Sequence, residues 1–333
     1  MTPADVRPAI SVVVPTRGRA AMLRRCLSAL ERQELGGRPF EVIVVDDGPH
    51  EETRHAVLAA AAASSTRARG PVTFRYVPAG PGKGPAVARN LGWQAASAPF
   101  LAFTDDDCVP VRTWLAAGLA GLEAGAAGAC GQVTVPLPPW PTDYERDVAG
   151  LQRSLFVTAN CFYRREALAS IGGFDPRFEI AWREDSDVFF GMLERGLPLV
   201  YIPAAVVVHP VRPGRWGASV RQQRRNLFNA LLYKKHPQLY RERVQRKPPL
   251  AYYLVVALLL TALVASVAGW HWAAIAAVGG WVVWTARFSL ERLRGASTAG
   301  GHVLEMLVTS ALIPPLAVFW RLAGAARFKV RFF

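Results

Sequence analysis

Three consecutive carboxylates, Asp105, Asp106 and Asp107, come one threonine after the apolar run Pro99-Phe100-Leu101-Ala102-Phe103. A short apolar run rich in aromatics reads as a buried strand, so the acids emerge at its carboxyl end. In an open α/β sheet that edge is where ligands bind. Adjacent negative charges repel one another unless a cation offsets them. Hard divalent cations such as Mg²⁺ and Mn²⁺ prefer carboxylate and phosphate oxygen, and Mg²⁺ commonly bridges carboxylates to a substrate phosphate. The competing reading of the triplet alone is a solvated acidic turn.

Other strand ends carry polar residues as well. Pro15-Thr16-Arg17-Gly18-Arg19 follows the run Ile10–Val14, and Asp46-Asp47-Gly48 follows Glu41–Val45. A carboxylate at the second position can accept hydrogen bonds from a nucleobase or ribose, or simply cap the next helix. Gly80-Pro81-Gly82-Lys83-Gly84 leads into Ala86-Val87-Ala88-Arg89-Asn90. A Gly-rich entry to a helix offers backbone N–H groups to an anion, and Lys83 and Arg89 add positive charge. The loop is not a Walker A sequence, and no Gly-x-Gly-x-x-Gly fingerprint follows the first strand. Together these segments place nucleobase recognition, diphosphate neutralisation and metal binding along one sheet edge.

The elements that must hold them alternate strand-like and helix-like through the first 209 residues, the pattern of an α/β domain with a mostly parallel sheet flanked by helices. Strands are predicted over Ile10–Val14, Glu41–Val45, Val72–Val77 and Phe100–Phe103, with later ones near Gly131–Val135, Phe156–Tyr163 and Val200–Val208. Helices are predicted over Ala20–Gln33, about Glu51–Ala63, Pro85–Ala96 and onward from Trp114. Pro136–Thr142, with four prolines, reads as a surface loop of the kind that borders substrate sites.

The ordered motifs Val-Val-Val-Pro-Thr-Arg-Gly, Val-Ile-Val-Val-Asp-Asp-Gly, Ala-Arg-Asn-Leu-Gly and Phe-Thr-Asp-Asp-Asp resemble glycosyltransferase family 2. Thr158–Leu168, Gly172–Asp175, Arg183–Asp187 and Val206–His209 continue the resemblance, which covers residues 10 to about 240. It implies the GT-A fold and an inverting transfer from a nucleotide-activated sugar. Carried over by position, Asp47 contacts the nucleobase, and Pro15, Thr16, Arg17, Lys83 and Arg89 line the donor. Asp105 and Asp107 form the Asp-x-Asp pair and are implied as metal ligands together with His209, Asp107 first among them, while Asp105 or Asp106 also serves the ribose side. His209 lies near the metal or diphosphate. Asp185 is implied as general base and Glu184 as the second catalytic acid, positioning the acceptor or supporting the site; Asn160 falls on the acceptor side, where Trp182 offers an aromatic face to a sugar. The sequence departs from the common pattern at Pro49, where the family often has serine, and at Ser186.

The formal charge of +14 invites a nucleic-acid reading, but its distribution argues against one. Residues 1–209 hold 21 Lys and Arg against 22 Asp and Glu, whereas residues 210–247 hold 11 against one. No charged side chain then occurs from Pro248 to Ala286, a stretch of 39 residues. As helix that stretch extends about 58 Å, too long for one crossing of a hydrocarbon core of about 30 Å. A transmembrane hairpin turning at Gly269-Trp270-His271-Trp272 is predicted over 248–286, with a basic juxtamembrane helical segment at 210–247. In the basic tail, 287–333, Val303–Trp320 is a third apolar segment. Glu305 and Pro314-Pro315 point there to a re-entrant or interfacial element as readily as to a span. The run Ala9–Val14 is too short for a signal peptide. Cys26, Cys108, Cys130 and Cys161 show no metal-ligand or paired spacing and read as reduced packing residues.

The expectation is therefore a metal-dependent, Mg²⁺- or Mn²⁺-using glycosyltransferase, multi-pass in the cell membrane with its catalytic domain (1–209) cytoplasmic. Its partners are a nucleoside-diphosphate sugar, a glycan or lipid-linked acceptor, and membrane lipids, and no nucleic acid. The alternatives are a sugar nucleotidyltransferase and a catalytically silent nucleotide-sugar-binding membrane protein.

Overall fold

The computed structural model describes residues 7–65, 72–80 and 82–332. Two compact units emerge: one runs up to Pro136 and resumes over Ala149–Pro210, the other comprises Leu137–Val148 and Val211–Phe333.

The first unit opens with β1 (Ile10–Thr16), α1 (Ala20–Glu31), β2 (Phe40–Asp46), α2 (Glu51–Ser65), β3 (Val72–Pro78) and α3 (Pro85–Ala95). Every residue of β1 and β2 is buried, which is why both read as continuous Val and Ile runs rather than as alternation. On α1 the 3.6-residue period puts Leu23, Leu27 and Leu30 on the buried face. Burying each such leucine contributes about 1.5–3 kcal/mol. Next come β4 (Phe100–Phe103), the two-residue β5 (Val109–Pro110), α4 (Trp114–Glu123) and β6 (Gly128–Thr134). After α5 (Asp143–Ala149) follow β7 (Cys161–Arg164), α6 (Arg165–Ser170), α7 (Glu184–Glu194) and β8 (Leu199–Val208).

The eight strands form one mixed sheet in the order β3-β2-β1-β4-β7-β6-β8-β5. β3, β2, β1 and β4 run parallel, as do β6 and β8, while β7 is antiparallel to both its neighbours. Thr16 pairs with Asp46, Asp46 with Pro78, and Val13 with Phe103, so the carboxyl ends of four strands share one edge. β7 starts at Cys161, later than the predicted Phe156, because Phe156 takes a left-handed backbone (φ 57°) that breaks the extended run.

The amino-end side of the sheet holds a buried acid of its own. Glu41 is 4% exposed. It accepts hydrogen bonds from Ser11 Oγ (2.6 Å), Ser97 N (2.6 Å), Ser97 Oγ (2.6 Å) and Arg75 Nη1 (2.8 Å). Burial pulls its pKa up, but these donors outweigh burial and hold it below the usual carboxylate value.

The second unit contains α8 (Ala218–Arg221), α9 (Asn226–Lys235), α10 (Pro237–Arg243), α11 (Leu250–Val267), α12 (His271–Leu293) and α13 (Gly300–Arg327). The last three are each long and apolar enough to cross a membrane. α12 runs past the predicted end at Ala286: Arg287 pairs with Glu291 one turn on (2.9 Å), and Arg292 turns inward. Pro314 and Pro315 lie inside an unbroken 28-residue α13, so of the two readings left open for this segment the helix has the length and apolarity of a span. Each proline removes one backbone N–H without forcing the helix to end, since its φ is itself helical. Glu305, the other feature that argued against a span, accepts from Gly217 N (2.7 Å).

Leu137–Val148 joins this unit through Arg292, whose guanidinium grips Asp143 (Nη2–Oδ2 2.6 Å) and donates to Thr309, Ser310 and Ser219. Arg146 donates in addition to the carbonyl oxygens of Arg292 and Arg294. These contacts fasten α5 to the long helices, while Pro136–Trp140 of the proline-rich loop are exposed, as expected of a surface loop.

Candidate active site

All the site residues predicted from the sequence lie in the first unit, and the strand ends explain where. β4 ends at Phe103, and Thr104 leads into the triplet, whose three acids have different surroundings. Asp106 is fully buried, and its Oδ2 accepts from Thr16 Oγ1 (2.6 Å) and pairs with Arg19 Nε (2.9 Å). Burial pushes its carboxyl up to about 6, against the pull of Arg19 and Thr16. The structure therefore does not turn Asp106 toward a ribose; it ties the triplet back to β1. Asp105 is the more open acid, its side chain 27% exposed. The field of the three acids reaches the neighbouring thiol of Cys26, which burial first and then Asp106, Asp107 and Asp105 push well above its ordinary value.

Asp107 faces His209, which follows the end of β8. His209 Nε2 lies 3.5 Å from Asp107 Oδ1, and both residues are buried. One ligand atom from each of Asp107, His209 and Cys108 lies within 4.8 Å of the others. A carboxylate oxygen and an imidazole nitrogen that close can both reach one cation through bonds of about 2 Å. Cys108 fits poorly, because burial pushes its thiol well up and a neutral thiol is a weak, soft ligand. Asp105 stands outside this group, because its Oδ1 is ion-paired with Arg89. The donor set that fits a hard divalent cation is Asp107 with His209.

Of Pro15, Thr16 and Arg17, the first two are buried within β1, and only Arg17 reaches outward, its side chain 63% exposed and 3.9 Å from Asp47. Asp47 accepts from Lys83 N (2.7 Å) and Gly84 N (3.1 Å), so it holds the glycine-rich loop in place. That loop needs glycine at position 84, where φ is +92° and a Cβ would sit 2.6 Å from the carbonyl oxygen of Glu179. Lys83 itself is exposed.

Arg89 is the largest departure from expectation. Only 2% exposed, it donates to Asp105 Oδ1 (2.9 Å) and to Glu184 Oε1 (2.9 Å). It is an internal bridge rather than an open cation awaiting a phosphate. These two carboxylates raise its pKa further above its ordinary value, outweighing burial. The adjacent Asn90 clamps the segment before α7: its Nδ2 donates to Phe174 O (2.6 Å) and its Oδ1 accepts from Phe174 N (2.9 Å).

α7 begins with Glu184 and Asp185, acids suited to the positive end of the helix dipole. Glu184 is buried, and burial pushes it up to about 7 against the pull of Arg89. Asp185 is half-buried and its Oδ1 accepts from Ser186 N (2.6 Å). Burial raises its pKa, which makes it a better proton acceptor than a solvated aspartate. Trp182 stacks with the Arg183 guanidinium, 4.7 Å from the ring centroid. Arg183 has a left-handed backbone (φ 76°), an uncommon conformation for a side chain of this size and one that clusters at functional sites.

Asn160 is not brought to an acceptor surface. It is fully buried, accepts from Trp114 Nε1 (2.8 Å), and donates to the carbonyl oxygens of Gln132 and Ala205 (2.8 Å each). Those bonds pin the irregular register between Gly131 and Gln132, where a Cβ on Gly131 would lie 2.0 Å from Ala205 O. Arg19 and Asn90 received no site role from sequence. Arg19 stands one turn past Thr16 beside two carboxylates, and Asn90 follows Arg89 in the quoted motif, so the signals were position and neighbour.

Two family models cover most of the chain: Glycosyl transferase family 2 matches residues 11–174, and Glycosyl transferase family group 2 matches residues 145–320. The chain belongs to glycosyl transferase family 2. Among curated family relatives, glycosyltransferase AglE of Haloferax volcanii is 25% identical over 230 residues, covering 65% of this chain and 71% of that protein. The pre-mycofactocin glycosyltransferase of Mycobacterium tuberculosis is 28% identical over 219 residues, covering 61% of this chain and 43% of its own length. This chain thus spans less than half of the mycobacterial relative. Among solved structures, the mannosyltransferase PcManGT from Pyrobaculum calidifontis, in complex with GDP-Man and Mn²⁺, superposes with a TM-score of 0.52 at 20% identity. That match covers 96% of this chain and 87% of the other, and it shows the shared GT-A fold. The family 2 chain described here is a glycosyl-transferring enzyme with C-terminal helices long and apolar enough to cross a membrane.

Proposed function

We propose that this enzyme transfers a sugar from a nucleoside-diphosphate sugar to an acceptor hydroxyl with inversion, using a divalent cation. The observation that carries the reading is one constellation: the Asp105–Asp107 triplet meets His209 through Asp107 and, through the Asp105–Arg89–Glu184 bridge, the start of the helix that carries Asp185. Asp107 and His209 are the residues to hold the cation, and Asp105, the more exposed acid, takes the ribose side. A divalent cation supplies positive charge to offset the negative charge that grows on the departing nucleoside diphosphate. Mn²⁺ in the solved relative makes that ion a natural first choice. Arg17 and Lys83 lie on the exposed donor rim, and Asp47 shapes it by holding the loop around Gly84.

Asp185 takes the proton from the acceptor hydroxyl as its oxygen bonds to the anomeric carbon and the bond to the diphosphate oxygen breaks. One in-line displacement inverts configuration and requires no enzyme nucleophile. Trp182 and Arg183 stand next to this base and line the acceptor side. The three apolar helices and the basic 210–247 segment support a membrane-embedded enzyme whose catalytic unit faces the cytoplasm, working on a lipid-linked or envelope-glycan acceptor. The test incubates the full-length protein in detergent with Mn²⁺, membrane lipid extract and a panel of nucleotide sugars, and follows nucleoside diphosphate release and product anomer. One donor should give nucleoside diphosphate and an inverted product. Release of pyrophosphate, or a retained anomer, contradicts the proposal.

A further inference from the structure

Arg89 has no chemical step in the reaction above, yet few groups in the molecule are so constrained. Its guanidinium is buried, and its two ends are committed to Asp105 and Glu184 at 2.9 Å each, with the Phe174 ring 5.9 Å away. Its Nε has no hydrogen-bond partner among the described residues, so the two carboxylates fix its position. A single buried cation shared by two acids cannot serve both fully, and in a low-dielectric setting a change at one end alters its hold on the other. The planar fork of arginine holds both acids in fixed directions, whereas a lysine offers one compact charge on a flexible stem.

We propose that Arg89 is a positioning residue that couples the two ends of the site, so that events at Asp105 and at Glu184–Asp185 are felt by each other through one shared cation. The inference rests on the reading that Asp105 faces the donor and the acids of α7 face the acceptor. Donor binding then alters the pull on Arg89, and with it the placement of Glu184 at the start of the helix that carries Asp185. Linkage requires the reverse as well: a change at Glu184 must alter nucleotide affinity.

The test is a double-mutant cycle on the full-length protein in detergent. It is read by calorimetric titration with Mn²⁺ and whichever of GDP, UDP and ADP binds the wild type. The four proteins are wild type, Glu184→Gln, Arg89→Met and the double variant. Glu184→Gln should change the nucleotide Kd in the wild-type background by a factor at least about three-fold different from its effect in the Arg89→Met background, within the range of coupling for residues in one polar network. Equal effects in both backgrounds, or none in either, overturn the proposal. If Arg89→Met does not fold, Arg89→Lys replaces it. It keeps the charge without the fork, and coupling that survives undiminished in that variant overturns the proposal too. A role for Arg89 in stability alone lowers the melting temperature and leaves the cycle additive. Failure of every nucleotide to bind wild type is reached before any variant is made; it overturns the functional reading and this inference with it.

Discussion

The carboxylate at the amino-end side of the sheet and those beyond its carboxyl-end side are built on opposite terms. Glu41, near the start of β2, receives four hydrogen bonds, one of them from Arg75, and is held below the usual carboxylate value. Asp106, Glu184 and Asp185, beyond the carboxyl ends, are raised, because burial outweighs the donors they are given. The first arrangement stabilises the sheet at its own expense in side-chain freedom. The second leaves negative charge under-compensated, ready to take up cations and protons.

The largest effect that sharpens this contrast is at Asp185. Asp185→Asn should lower glycosyl transfer by about 10²–10⁴-fold with the fold and nucleotide binding kept, as measured by initial rates and calorimetry. Full activity in that variant removes the distinction between the two ends. Next comes Asp107→Asn, for which a loss of about 10²–10³-fold is expected, together with loss of any Mn²⁺-dependent rise in melting temperature. Glu41→Gln should do the opposite: chemical denaturation should show about 1–3 kcal/mol less stability, while the rate per folded molecule stays at the wild-type level. A Glu41 variant that folds normally but transfers poorly would break the comparison.

The smallest effect is on the pH dependence of stability without metal. Asp106 and Glu184 have folded-state pKa values of about 6 and about 7, against ordinary values of 3.8 and 4.5. A raised carboxyl binds more protons folded than unfolded, so its contribution is complete below the unfolded value and is lost as pH rises through the folded one. Stability from these two groups should therefore decline between about pH 4 and pH 7, and Glu184→Gln should flatten the upper part of the decline. Glu41, held low, works in the other sense: its contribution is lost as pH falls through its folded value. Melting curves from about pH 2.5 to 8 in a chelating buffer check both signs, Glu41 at the acid end and the raised pair above it.

The parts legible in the sequence are those set by local pattern. Continuous apolar runs gave β1, β2 and β4, and acids immediately beyond them had to appear at a strand end. Proximity across the fold was not legible. Thr16 and Arg19 meet Asp106 about 90 positions away, and Arg89 meets Glu184 at a separation of 95. An arginine after a glycine-rich loop reads as a phosphate ligand until its partners are seen, and Asn160 reads as an acceptor contact until Trp114, Gln132 and Ala205 are found around it. The prolines of α13 left that segment open between a span and a re-entrant element: propensity argues for a break, whereas burial of Pro314 within the helical unit and a long apolar helix on either side favour continuation.

The most direct test of the central claim is a thermal-shift panel of GDP, UDP, ADP and their sugars on the wild-type protein and Asp107→Asn, each with Mn²⁺ and with chelator. A metal-dependent donor site predicts that one base raises the melting temperature of wild type in Mn²⁺, with the shift abolished by chelator and absent in the variant. A shift of equal size in chelator, or no shift with any nucleotide, would contradict it.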